Sequence, residues 1–156
     1  MRKHIVNRER NSLPLDKPWL DLESLAQVEV SSEEAEHPIE AALLPGASSG
    51  WRAAAPGQQL VRLMFDEPQN LRLIHLVFDE HEQERLQEYT LRWCSSAGQP
   101  YREIVRQQYN FSPPTTSREI EDYNVNLDSC AELELSIVPD LRGSAAHASI
   151  AEFRLA

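Results

Sequence analysis

The chain has 156 residues, 41% of them hydrophobic, and a formal charge of −10 at neutral pH. That length suits one domain with a real core. No run of about 18 apolar residues spans a bilayer, and the basic start Met1-Arg2-Lys3-His4 leads into too short an apolar stretch for a secretory signal, so a cytoplasmic protein is expected.

Residues 1–26 read as an N-terminal arm. Pro14 and Pro18 interrupt any helix there, and Trp19, Leu20, Leu22 and Leu25 are its candidate anchors. They pack either across the domain body or against a second copy, which would make a homodimer through the arm. The charge divides at the same place. Residues 1–17 balance at +3, whereas the other 139 carry ten Arg and no Lys against 23 carboxylates, a balance of −13. So acidic a body repels phosphate backbones, which excludes nucleic acid and anionic membranes as partners.

Residues 27–156 read as one β-rich domain, with period-two alternation from Val28 onward. A single helical turn is expected after Pro38, within Ser32 to Leu44. Val61, Leu63 and Phe65 alternate with Leu60, Arg62 and Met64, and a turn is expected at Asp66-Glu67-Pro68. Leu71 to Phe78 follows, apolar on both faces except at Arg72 and His75, as in a strand in the middle of a sheet. Glu80 to Tyr89 has helix-forming residues but almost no apolar face. Tyr89, Leu91 and Trp93 then alternate up to the turn at Ser95–Gly98. Tyr101 to Phe111 reads as one strand or two short ones, stopped by Pro113-Pro114. Leu133, Leu135 and Ile137 form the cleanest strand, and Ala151, Phe153 and Leu155 the last. Short strands at even spacing joined by Pro- and Gly-bearing turns argue for an all-β sandwich or barrel.

Few residues point to chemistry. The five glycines never cluster into a phosphate-cradling loop, there is no Gly-x-Ser-x-Gly elbow, and the five histidines are scattered singly. Cys94 and Cys130 sit in strand-like segments and read as buried thiols, without a disulfide or a zinc site. His75, inside a strand, reads as a core or interface histidine. His37 and His81 lie in loops, and the acidic run Asp79 to Glu84 reads as a solvated loop, with a divalent cation as the alternative. Trp51-Arg52 follows the segment Gly46-Ala47-Ser48-Ser49-Gly50. An aromatic ring beside a guanidinium suits a sugar, and the alternative is that Trp51 plugs the end of the sandwich.

The order of these pieces resembles the discoidin-like, or galactose-binding-like, jelly-roll family, which includes coagulation-factor type C domains and many carbohydrate-binding modules. Val28-Glu29-Val30-Ser31-Ser32-Glu33 is similar to its opening strand and Ser-Ser turn, and Ile39 to Leu43 with Pro45-Gly46 to the short turn that follows. Ser49-Gly50-Trp51 resembles the approach to its early tryptophan. Leu60 to Phe65 and Leu71 to Phe78 resemble its paired central strands, Tyr89 to Gly98 a later strand and turn, and Ala148 to Leu155 its closing strand. The resemblance implies an antiparallel jelly-roll β-sandwich of the galactose-binding-like type, with ligand held by loops at one rim. Sugar-binding members offer an Arg and an Asn from the loop after the second central strand. The corresponding loop here, Asp79-Glu80-His81-Glu82-Gln83-Glu84-Arg85, departs from that arrangement. The resemblance also implies a structural calcium near the opening loops, held largely by backbone carbonyls, where Glu33, Glu34, Glu36 and Glu40 stand.

Two functions are consistent with these residues. One is a non-catalytic module for a carbohydrate or similar small polar ligand, bound by Trp51, Arg52, His37, His81 and Tyr109. The other is a protein–protein interaction subunit that uses the sandwich and the arm.

Overall fold

The computed structural model describes residues 19–46, 49–96 and 98–156. Residues 1–18 of the arm expected over residues 1–26, with any dimer contact made there, lie outside the described residues. Among the described residues, two four-residue helical turns, α1 (Leu22–Leu25) and α2 (Glu40–Leu43), accompany eight strands. These are β1 (Ala26–Val30), β2 (Trp51–Pro56), β3 (Gln59–Asp79), β4 (Arg85–Cys94), β5 (Arg102–Phe111), β6 (Arg118–Val138), β7 (His147–Ile150) and β8 (Glu152–Leu155). Every strand pair is antiparallel.

Strands β3 and β6, 21 residues each, belong to both layers of the sandwich. Their outer halves, Gln59–Met64 and Glu132–Ile137, pair with each other. β1 pairs alongside one of them and β4 with β5 alongside the other, which makes five strands. Their remaining halves pair between Leu71 and Asp79 of β3 and Arg118 and Leu127 of β6, and β8 adds to β3 as a third strand. The layers face one another: Phe78 of β3 stacks on Tyr89 of β4 with centroids 5.0 Å apart. β2 and β7 form a separate two-stranded ribbon.

The expected turn at Asp66-Glu67-Pro68 is instead a bulged stretch inside β3, so the two apolar runs are collinear rather than paired with each other. Pro68 offers no N–H to a ladder, and register is lost between Met64 and Gln69 and recovered by Leu71–Leu73. The bulge also changes which side chains point inward. Val61, Leu63 and Leu71 reach the core from odd positions, and Ile74, Leu76 and Phe78 from even ones. A one-residue slip in a strand exchanges its faces. β6 is irregular around Ser129, whose φ is +56°, and buries Cys130 there, but its inward positions are odd on both sides, Leu127 before and Leu133 and Leu135 after.

The helical propensity of Glu80 to Tyr89 is overridden, since Arg85 onward is strand β4. Arg102 to Phe111 is one strand, and the half of β6 from Arg118 to Leu127 carries no apolar alternation clear enough to reveal it. The single turn expected after Pro38 is α2. Its end is held by Arg154, which donates to the carbonyls of Ala42 at 2.6 Å and Leu44 at 2.8 Å. Trp19 lies 5.7 Å from the ring of His75, the Leu20 N–H reaches the Leu155 carbonyl, and Leu22 is buried. His75 is itself buried, with Nδ1 2.6 Å from Asp122 and Nε2 3.2 Å from Glu152.

One end of the interior is polar, where β4 faces the first half of β6. Tyr89 and Tyr123 share a hydrogen bond there, and burial, then that bond, pushes the Tyr89 hydroxyl up. Glu119 is 2% exposed. Neither of its oxygens has a hydrogen-bond partner among the described residues. Burial, then neighbouring Glu121, pushes its carboxyl up to about 8, with Arg85 pulling the other way. Cys94 and Cys130 are free and buried, and burial pushes the Cys130 thiol up to about 12.

Candidate ligand-binding site

Three segments distant in sequence meet at one end of the sandwich: the loop before α2, the β2–β7 ribbon, and the loop between β3 and β4. Between them lies an open cleft of about 390 Å³.

The ribbon forms its floor. Period-two alternation buries Trp51 and exposes Arg52. Trp51 is 1% exposed, and its indole N–H donates to the Ser32 carbonyl at 3.0 Å. It therefore supports the cleft from beneath, as the plug reading expects. Gly50 is required where the ribbon starts. Its φ is +66°, and a Cβ there would stand 2.6 Å from the Ile150 carbonyl oxygen. The register shift between Arg52 and Pro56 leaves the Ala53 carbonyl free to accept from His147 Nδ1 at 2.8 Å.

The loop before α2 attaches to the ribbon through its backbone. The Glu34 N–H donates to the Arg52 carbonyl, and the Arg52 N–H to the His37 carbonyl. This brings His37 beside Arg52 and sets Glu34 3.1 Å from the Arg52 guanidinium. His37 Nδ1 lies 3.1 Å from the Ser49 carbonyl.

The third wall follows β3. Both oxygens of Asp79 are taken by Arg118, at 2.7 and 3.1 Å. Glu80 organises the loop: one oxygen accepts the N–H groups of Glu82 and Gln83, and the other meets Arg85 Nε at 2.6 Å. Burial opposes the charge on Glu80, but the Glu82 N–H and then Arg85 outweigh it and hold the carboxyl below its ordinary value. Arg85 is fully buried, donates to Gln87 and to the Pro139 carbonyl, and lies over the Phe111 ring at 4.6 Å. This anchored loop presents His81 and Glu82 at the cleft.

His37, Trp51, Arg52 and His81, singled out from the sequence, thus line one cleft. Tyr109 lies apart from it. Its place in β5 sets it opposite Gln87, its ring packs edge-on against Phe111 with centroids 4.8 Å apart, and its hydroxyl donates to the Arg118 carbonyl. His147 and Gln83 also line the cleft and were not read as site residues. Nothing local to His147 marks it, because only its pairing across the ribbon brings it in.

The glutamates of the opening loop do not make a cation cage. Glu33 accepts the Ile39 N–H and Glu34 pairs with Arg52, so these two carboxylates are already engaged within the fold. Among the described residues, no three His, Cys, Asp or Glu side chains group to hold a metal, at the acidic run or elsewhere.

No family model matches the sequence, and no curated protein matches it. Solved structures match in shape. A Clostridium perfringens family 32 module in complex with GalNAc-β-1,3-galactose superposes with a TM-score of 0.64 at 14% identity, covering 88% of this chain and 99% of that one. The family 32 carbohydrate-binding module of C. perfringens NanJ, in complex with galactose, gives 0.57 at 14% identity, covering 83% and 92%. A Ruminococcus gnavus GH29 fucosidase in complex with fucose, a D221A mutant, gives 0.63 at 8% identity, covering 93% of this chain and 28% of the fucosidase. This chain therefore spans little more than a quarter of that enzyme. With its antiparallel layers and the long strands shared between them, the chain has the discoidin-like, galactose-binding-like jelly-roll fold.

Proposed function

We propose that the chain is a non-catalytic carbohydrate-binding domain that holds a saccharide in the cleft between the ribbon and the loops that carry His37 and His81. The observation behind this reading is the convergence of His37, Arg52, His81 and His147, from three separate segments, around one cleft of about 390 Å³. Such a volume lies in the range of small-molecule sites, and its polar groups are of the kind that fix hydroxyls. Two solved domains of the same fold are in complex with galactose and with GalNAc-β-1,3-galactose.

Binding fits the cleft better than catalysis does. Hydrolysis of a glycoside needs two carboxyls with environments that push their pKa values apart. Asp79 and Glu80 are both committed to arginines, and Glu80 is held below its ordinary value. The carboxyl that is strongly raised, Glu119, is shut between the layers and does not line the cleft.

A glycan array followed by calorimetric titration of the best ligand tests the reading. Arg52→Ala and His37→Ala should each weaken that ligand about tenfold, equivalent to about 1.4 kcal/mol, with the thermal unfolding midpoint almost unchanged. Absence of glycan binding, or full affinity in both variants, overturns it.

A further inference from the structure

We infer that the cleft selects uncharged and amine-bearing sugars and rejects acidic ones, an inference that rests on the saccharide reading above. Its basis is the proton and charge inventory of the cleft wall. The Nδ1 atoms of His37 and His147 each face a backbone carbonyl, at 3.1 and 2.8 Å. A carbonyl can only accept, so each Nδ1 carries hydrogen, and in the neutral ring Nε2 keeps its lone pair. Each ring then has an acceptor to offer a ligand.

The charges around these rings cancel in pairs, with one left over. Arg52, the only arginine or lysine lining the cleft among the described residues, faces Glu34 at 3.1 Å. Asp79 is neutralised by Arg118 and Glu80 by Arg85. Glu82 has no ion-pair partner among the described residues, so the rim keeps one uncompensated negative charge. Sugar hydroxyls donate to the imidazole acceptors, and an ammonium adds attraction to Glu82. A carboxylate meets repulsion from Glu82, acceptors it cannot satisfy, and an arginine already paired.

The test uses two trios that share ring stereochemistry and differ in charge: galactose, galactosamine and galacturonic acid, and the corresponding glucose forms. The full chain is titrated with each at fixed low ionic strength. Within the trio that binds, the acid form should be at least tenfold weaker than the neutral form, and the amine form as tight or tighter. Glu82→Gln should remove any advantage of the amine. Glu34→Gln, which releases the Arg52 guanidinium, should strengthen the acid form several-fold. An acid form that binds the wild-type chain as tightly as its neutral counterpart overturns the inference and leaves carbohydrate binding intact. Failure of all six forms, together with an empty glycan array, removes the saccharide reading and this inference with it.

Discussion

The Glu119→Gln substitution removes a carboxyl that is 2% exposed and whose oxygens find no hydrogen-bond partner among the described residues. In the unfolded chain this group titrates near its ordinary 4.5, and in the folded chain at about 8, raised by burial and by Glu121. Because the folded value is the higher, its favourable contribution is complete below about pH 4.5 and is lost as pH rises toward 8. Each pH unit of that interval is worth about 1.4 kcal/mol, which sets a ceiling of about 5 kcal/mol above pH 8. Glu119 shares its surroundings with Glu121 and Arg85, so part of the proton uptake belongs to the group as a whole. About 2–3 kcal/mol is therefore the expected difference between the proteins at pH 8.5. A neutral glutamine of nearly the same shape should leave stability at pH 5 almost unchanged and make the variant the more stable protein at pH 8.5. Urea unfolding at pH 5, 7 and 8.5 measures this directly. Parallel stability curves for the two proteins across that range would refute burial as the source of the raised carboxyl.

Arg85→Met leaves Glu80 without its buried counter-ion and should cost about 3–5 kcal/mol. Amide exchange should also quicken over residues 80–83, where Glu80 now fixes the backbone. Arg154→Leu removes the two bonds that hold the carbonyls of α2 and should cost about 2–3 kcal/mol, with exchange rising first at residues 40–44. Gly50→Ala should cost about 1–2 kcal/mol from its left-handed backbone alone, and more from the contact with the Ile150 carbonyl. Its unfolding midpoint should fall by about 2–4 °C for each kcal/mol lost.

The β class was legible wherever one face of a strand is buried and the other wet. Leu60–Phe65 and Leu133–Ile137 alternate because one face of each run is buried against the facing layer. Where that contrast fails, the reading failed too. The first half of β6 turns Glu119, Glu121 and Tyr123 toward the interior, so no apolar stripe announces it, and Pro68 looks like the centre of a turn although the strand runs through it as a bulge. Four cleft residues were legible because they stand beside loop signals: Pro38 next to His37, Gly50 before Trp51 and Arg52, and an acidic run around His81. His147 was not, since its place depends on pairing with a strand some ninety residues earlier. Tyr109 shows the converse: an aromatic next to prolines, which the pairing of β5 with β4 turns away from the cleft.

The acidic run shows how one composition can serve two purposes. Read as charge alone, Asp79 to Glu84 is a solvated loop, and its exposed members from His81 to Glu84 behave as one. Its first two carboxylates do something else. Asp79 and Glu80 are spent on Arg118 and Arg85, arginines at the ends of β6 and β4, so the charges fix the loop to both layers. The other walls are secured in a similar way, with Trp51 held by Ser32, His37 by Ser49 and His147 by Ala53. A polar group tied from behind by the backbone or a counter-ion loses little freedom when a ligand arrives, so weak individual contacts keep more of their value. That is a reason for a cleft so rich in charge to hold so little of it free. Most of its charged groups orient the few that remain.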